Sequence, residues 1–470
     1  MKFKQTLLFY LRSKVLFYLL SLVNLLVILL VFSISSKIPF PDEKGYWFMG
    51  ESILHGQFSS WYFSPSPYSE TLRTPIYPIF VAISKLIYNS MFSVKLLQLA
   101  IYLFTVYFCL DILKKLNVDL IYRNLFLFIL IPNIQIPYYT GNMIAEILAV
   151  FSMIWLVRYL FCKKTYLNGF GMGISSYILF GCRPAFLILP FILFLYFVLF
   201  ERKKIPVSFA FVFIITFSVL LIPFGLWNKQ SHGIFKLTPI EGGAGVAHMG
   251  YWQLKLPDNY IETFYWGNVV VPDKLSPILY SPAEKEINAK KFEEEWLNIL
   301  QKISIDLSTS DSINLKFMQE NNPGIFVLYN SEYTLKREKA LWKATISNIK
   351  VDPSYYIKSR FFHFFRFYVT GINTINLDKA RLPLDKIKVI YPFIVTLVFI
   401  FLGLLWVTAL GFIQRCRFSN YIPLLIIIWY TGLIHIPFGI QSRYTIPCHL
   451  VVLLMSTVCT IKFFKKNSYV

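Results

Sequence analysis

Two adjacent carboxylates, Asp42 and Glu43, stand just beyond the first apolar run of the chain, among Trp47, Trp61 and several tyrosines. At the depth of a membrane interface a carboxylate is partly desolvated, which raises its basicity. Such a group can take the proton of a hydroxyl; a solvated acid pair is the bland alternative. The same stretch, Pro39 to Tyr88, closes with Arg73-Thr74-Pro75-Ile76-Tyr77-Pro78. A guanidinium there can bind lipid headgroups or grip a phosphate with two parallel hydrogen bonds. Arg183 and Arg443 stand in short turns that the topology below puts on the same side as Asp42. Positive-inside bias does not account for arginines on that side; a phosphate site does.

Other chemistries are poorly supplied. The six histidines form no HxxxH or HExxH pair. His248, after Glu241-Gly242-Gly243-Ala244-Gly245, is the one histidine in an expected loop with an acid nearby, and the one metal-ligand candidate. That glycine run lacks the GxxxxGK[ST] of a phosphate-cradling loop. The six cysteines lie in or beside apolar runs without a CxxC pair, which implies neither a disulfide framework nor a zinc site.

The elements that must position these groups are membrane helices. Of the 470 residues 56% are hydrophobic, 18% aromatic and only 15% charged, against roughly 25% charged in soluble proteins. The net charge of +21 lies largely in short clusters between apolar runs, as cytoplasmic loops require, which argues against nucleic acid as the partner. A basic start (Lys2, Lys4, Arg12, Lys14) precedes apolar Val15 to Ile34. A run of about 20 residues has span length, so an uncleaved first helix is expected rather than a signal peptide.

Ten spans are expected: Val15–Ile34, Phe92–Leu113, Leu125–Pro137, Met143–Phe161, Phe170–Gly181, Phe186–Phe200, Val207–Trp227, Val389–Phe412, Ile422–Phe438 and Tyr444–Ile461. Basic clusters follow every even-numbered span, which places both termini in the cytoplasm and the Asp42 loop, Arg183, Arg443 and the region 228–388 outside it. Lys44–Leu54 and Pro75–Tyr88 are too short to cross and read as interfacial helices. The fold class is thus all-α and polytopic, with about ten transmembrane helices, interfacial helices and a mixed extracytoplasmic loop domain. Its divisions are 1–227, a transmembrane module with a catalytic first loop at 37–89; 228–388, the loop domain; and 389–470, the C-terminal helices. Within 228–388, Ser281-Pro282-Ala283-Glu284 reads as a capped helix start, Trp342, Ile346 and Ile349 share a helical face, and Asp352-Pro353 opens a helix to Tyr368 that suits the membrane interface.

Asp-Glu, then Tyr46, Gly56 and Arg-x-Pro-x-Tyr-Pro in the first loop resemble the GT-C-fold membrane glycosyltransferases, the group with the protein O-mannosyltransferases and the lipid A aminoarabinose transferase. Arg183-Pro184, the turn from Ile222 to Phe235 with the glycine-rich stretch Gly242 to Gly250, and Arg443-Tyr444-Thr445-Ile446-Pro447 match the same group in the same order. Where some relatives carry Lys-Pro-Pro, this chain carries Arg73-Thr74-Pro75. The resemblance implies an inverting transferase that moves a sugar from a polyprenyl-phosphate donor to a hydroxyl of a lipid, glycan or protein acceptor. It makes Asp42 the base, Glu43 its support, and Arg73, Arg183 and Arg443 the groups that receive the donor phosphate. Tyr46, Tyr77, Tyr444 and Glu241 become the substrate-binding candidates. It implies no essential cofactor, with a divalent metal as an option, membrane lipids as partners, and a bacterial cytoplasmic membrane location with an extracytoplasmic site.

Two other classes compete. A flippase or transporter of lipid-linked sugars calls for mid-membrane charges and repeated halves, and the sequence displays neither: Asp111, Glu146 and Arg158 all sit near span ends. A polymerase or ligase of such saccharides calls for arginines and a histidine in the large loop, whereas the signal sits in the first loop.

Overall fold

The computed structural model describes residues 12–37, 40, 42–116, 119–201, 205–257, 280–321, 330–368, 421–439 and 443–466. All regular structure among them is helical: seventeen α-helices and two short 3-10 turns. The first is α1, Lys14–Ser35, opened by Ser13, whose side chain accepts from the Leu16 amide at 3.3 Å. It is apolar nearly throughout; its one buried amide, Asn24, is satisfied by the carbonyls of Leu20 (2.8 Å) and Leu127 (2.9 Å).

The two short helices of the first loop fall where the sequence placed them, as α2, Glu43–Leu54, and α3, Ile76–Ile87. At 12 residues each spans only about 18 Å, less than a membrane core. They pack tightly on each other. A Cβ on Gly50 of α2 would stand 2.7 Å from Cγ1 of Val81 in α3. Lys85 of α3 pairs with Glu51 of α2 and lies 3.6 Å over the Trp47 ring. Next come α4, Met91–Lys115; α5, Leu120–Leu130; and α6, Gln135–Tyr138, continued by a 3-10 turn, Tyr139–Gly141. This corrects the third expected span. It is two pieces meeting at 57°, because Pro132 disfavours helix at the residue before it and donates no amide.

The centre of the bundle is α7, Glu146–Leu160, buried around most of its circumference and in contact with α4, with α8, Tyr166–Cys182, and with the last helix. A 3-10 turn, Pro184–Leu187, leads into α9, Leu189–Phe200, and then comes α10, Val207–His232. Helices α8 and α10 approach closely because glycines face the partner: a Cβ on Gly173 would stand 2.6 Å from Thr216 Cβ and 2.8 Å from the Phe213 carbonyl oxygen.

Between α10 and the last helices lie α11, Ala244–Trp252; α12, Pro282–Gln301; α13, Thr309–Asn321; α14, Ser331–Val351; and α15, Pro353–Tyr368. The start of α12 is the predicted one, with a full capping box between Ser281 and Glu284. Helix α11 was not foreseen. Its glycine-rich sequence reads as loop, yet Gly243 takes the left-handed conformation (φ 88°) and turns the chain into a helix. The chain closes with α16, Ile422–His435, and α17, Ile446–Lys466.

The chain is an integral membrane protein. Helices α1, α4 and α10 are long and apolar enough to cross a membrane, and α5 with α6 makes a fourth if the bent pair is one span. The other apolar helices are shorter: α3, α9 with its 3-10 turn, α16 and the apolar part of α17. The expected count of ten is therefore not reached by length among the described residues, and the eighth expected span, 389–412, lies outside them.

The α8–α10 contact yields a first prediction. Gly173→Ala overpacks the pair and costs about 1–3 kcal/mol, read as a lower thermal midpoint in detergent. Gly245→Ala, whose added Cβ meets only Leu341 at 3.9 Å, leaves the midpoint unchanged.

Candidate functional site

Asp42 is the N-cap residue of α2, but its side chain makes no capping bond. The carboxylate turns instead to two guanidiniums. Arg73 donates through Nη2 to Oδ1 at 3.1 Å, and Arg443 donates through Nη1 to Oδ2 at 2.8 Å. Arg443 also reaches Glu146, at 3.7 Å from its Nε, and Glu146 pairs with Arg183. The three arginines predicted from distant parts of the chain thus meet in one line, Arg73–Asp42–Arg443–Glu146–Arg183. Arg183 Nε has no hydrogen-bond partner among the described residues.

Local structure holds each cation. Glu70 accepts from the backbone amides of Ser60 (3.0 Å), Leu72 (3.0 Å) and Arg73 (3.1 Å), which fixes the bend that delivers Arg73. Thr74 donates to the Gly181 carbonyl, tying that bend to the end of α8 beside Arg183. Tyr430 donates to the Ala185 carbonyl and holds the Arg183 turn against α16. The approach to Arg443 is pinned from the region between α10 and α16. Arg360 of α15 donates to the carbonyls of Ile436 (2.7 Å) and Gly250, and the Gly439 amide donates to Val246 at 2.8 Å. Gly250 is glycine because a Cβ there would fall 2.5 Å from the backbone of Phe438 and Gly439.

Aromatic faces back the guanidiniums: Tyr46 under Arg73 at 5.0 Å, Tyr444 under Arg183 at 5.3 Å, Phe40 under Arg443 at 5.3 Å. Tyr77 meets Tyr46 edge-on at 4.7 Å, and its hydroxyl donates to Gln98 Oε1 at 2.5 Å. Being 1% exposed, Tyr77 supports Tyr46 from behind.

Glu43 is buried and committed. It pairs with Lys95 at 3.1 Å and accepts from the Met143 amide at 2.9 Å, while Lys95 donates to the Ser36 carbonyl at 3.1 Å. Its neighbour Asp42 is the acid that faces the arginines. Burial alone would raise the Asp42 pKa; Arg443 and Arg73, with Arg183 farther off, outweigh that and lower it from 3.8 to about 2. A depressed carboxyl pKa adds stability that is complete above about pH 4 and fades as pH falls through the folded value near 2.

Glu241 lies outside this line. Its carboxylate pairs with Arg337 of α14 at 2.8 Å, and its amide donates to the Thr71 carbonyl at 2.9 Å, joining the first loop to α14. Burial raises its pKa, opposed by Arg337 and reinforced by Glu338 and Glu70. His248 is not in a loop but inside α11, packed on Phe292 and Trp296, with Nε2 3.4 Å from Glu295. Among the described residues no group of three or more His, Cys, Asp or Glu is disposed to hold a metal ion.

Sequence reasoning missed Glu146, Glu70 and Lys95 as parts of the site. Glu146 was legible as an acid at a span end with no local cation. An acid in that position needs an ionic partner, and Arg183 was the arginine in want of one.

The pair Glu43–Lys95 is dry, so its loss is measurable. Lys95→Met leaves a buried charge unpaired and costs about 3–5 kcal/mol; adding Glu43→Gln restores most of the thermal midpoint. A single variant as stable as the parent would show that the pair holds nothing.

No protein-family model matches this chain, and no curated protein sequence does. Among solved structures it is similar to the crystal structure of ArnT from Cupriavidus metallidurans bound to undecaprenyl phosphate, at 10% identity and a TM-score of 0.35, over 94% of this chain and 78% of that one.

Proposed function

We propose that the chain is an inverting glycosyltransferase that moves a sugar from a polyprenyl-phosphate carrier to an acceptor hydroxyl on the extracytoplasmic face. The observation that carries this reading is Asp42 held between Arg73 and Arg443, with Arg183 beside them. Asp42, a carboxylate able to take a proton, lies with the buried Glu146 among three cations able to take a phosphate. The ordered motifs of the sequence support the same reading.

At rest Asp42 is a weak base, because the arginines that lower its pKa also occupy its oxygens. A donor phosphate competes for those arginines. As they turn to it, Asp42 loses the charges that held its pKa down and gains basicity. The donor itself thereby switches on the base. Asp42 then takes the proton of the acceptor hydroxyl, and the oxygen attacks the anomeric carbon from the face opposite the phosphate. The carbon–oxygen bond to phosphate breaks, and polyprenyl phosphate leaves with the electron pair. Arg73, Arg443 and Arg183 meet the developing negative charge, so no general acid is required.

The remaining candidates position these groups. Glu43 anchors the start of α2 through Lys95 and Met143. Tyr46 and Tyr444 set the planes of Arg73 and Arg183, with Tyr77 behind Tyr46. Glu241 joins the first loop to the region 228–388, which we assign as an extracytoplasmic cap between the membrane modules 1–227 and 389–470. We place the protein in a bacterial cytoplasmic membrane with both termini inside the cell; impermeant maleimide labels Ser60→Cys in intact cells if so, and protection of that cysteine would invert the topology.

Transfer from a panel of radiolabelled polyprenyl-phosphate sugars into membrane extracts tests the reaction. Asp42→Asn loses the base and slows transfer by about 10²–10⁴-fold with the protein still folded; full activity in that variant would remove Asp42 from the mechanism. With its resting pKa near 2, Asp42 gives kcat/KM for the donor no acid limb above about pH 4. EDTA leaves the rate unchanged if the arginines alone neutralise the phosphate; loss of activity would transfer that role to a metal ion.

A further inference from the structure

A pocket of about 300 Å³ opens beside Arg73, away from the line of charges. Its floor is aromatic. Phe63 lies 4.9 Å from Phe48 and 5.4 Å from Trp61, ring centre to ring centre, and remains 46% exposed. Phe317 of α13 meets the far edge of Phe63 at 6.0 Å, and Ser64 and Tyr68 hydrogen-bond Asn314 and Asp311 of the same helix, so the floor is braced. The rim is polar, with Lys44, Glu70 and Arg73. Glu70 spends both oxygens on backbone amides, and Lys44 has no ion pair among the described residues.

The wall nearest Asp42 is Gly45, three residues along α2. A Cβ there would lie 3.7 Å from Arg73 Nη1, while Nη2 of the same guanidinium donates to Asp42. Whatever fills the pocket is therefore one guanidinium away from the proposed base. A hydrocarbon tail is a poor occupant, because it would strip water from the charges of the rim. A sugar ring fits: its C–H face lies on the aromatic floor, and its hydroxyls meet Lys44 and Arg73.

We infer that this pocket binds a pyranose ring of the acceptor, so that the acceptor is a saccharide rather than a lipid tail or a peptide. The inference rests on the transferase reading for the word acceptor, and on the pocket alone for the sugar.

Saturation-transfer difference NMR on the full-length Asp42→Asn protein in detergent separates the two. The probes are methyl pyranosides of glucose, galactose, mannose and N-acetylglucosamine, with a short serine-containing peptide as the rival. At least one glycoside binds, Trp61→Ala weakens it about tenfold, the loss of roughly one aromatic contact, and Gly45→Leu fills the pocket and abolishes it. Thermal midpoints establish that both variants are folded. In the transfer assay Trp61→Ala raises KM for the acceptor and leaves KM for the donor alone. Binding of the peptide but no glycoside, or glycoside binding indifferent to Trp61 and Gly45, overturns the inference. Glycoside binding without transfer from any donor upholds the sugar site and removes the transferase reading instead.

Discussion

A carboxylate shared by two guanidiniums is the interaction on which the rest of this structure depends. Two arginines on one aspartate are worth little in water; here all three groups are largely removed from it, and each cation is backed by a ring. The geometry makes demands that spread outward. Arg73 needs the Glu70 bend, that bend needs Gly181 and Thr71, and Arg443 needs a segment clamped by α11 and α15. The described helices α11 and α15 between α10 and α16 thus help to set the position of a cation at the centre.

The same arrangement resolves a conflict between stability and chemistry. A base must hold its proton well, and a structural carboxylate must not. In the mechanism we propose, Asp42 is the second at rest and the first when an anion draws its partners off, because the groups that depress its pKa are the ones a phosphate would recruit.

Much of this was legible in the sequence. Helix starts with strong local chemistry, such as Ser281-Pro282-Ala283-Glu284, came out where composition put them. So did the two short first-loop helices, whose length alone excludes a crossing. What did not come out depends on contacts between distant residues. A glycine-rich stretch became helix α11 once Gly243 turned the chain, and Phe438 and Gly439 pack directly on its Gly250, a contact between distant residues that no local signal announces. The break in the third expected span follows from Pro132, a local cue outweighed by the apolar run around it. The arginines were legible as misplaced charges and Glu146 as an acid at a span end, but which cation Glu146 takes was not, since its pairing with Arg183 depends on how α7 packs against the end of α8.

Asp42 and Arg443 are separated by 401 residues, and that separation has a consequence in time. A ribosome adding about 5–20 residues per second needs roughly 20–80 s to deliver the second arginine after the acid has been made. During that interval a buried carboxylate without a cation would be costly to hold in place. Arg73 and its Glu70 clamp come from the same loop as Asp42 and are present from the start. The nearby arginine is thus a nascent-chain companion for the acid, and the distant one completes the site only when the last helix arrives.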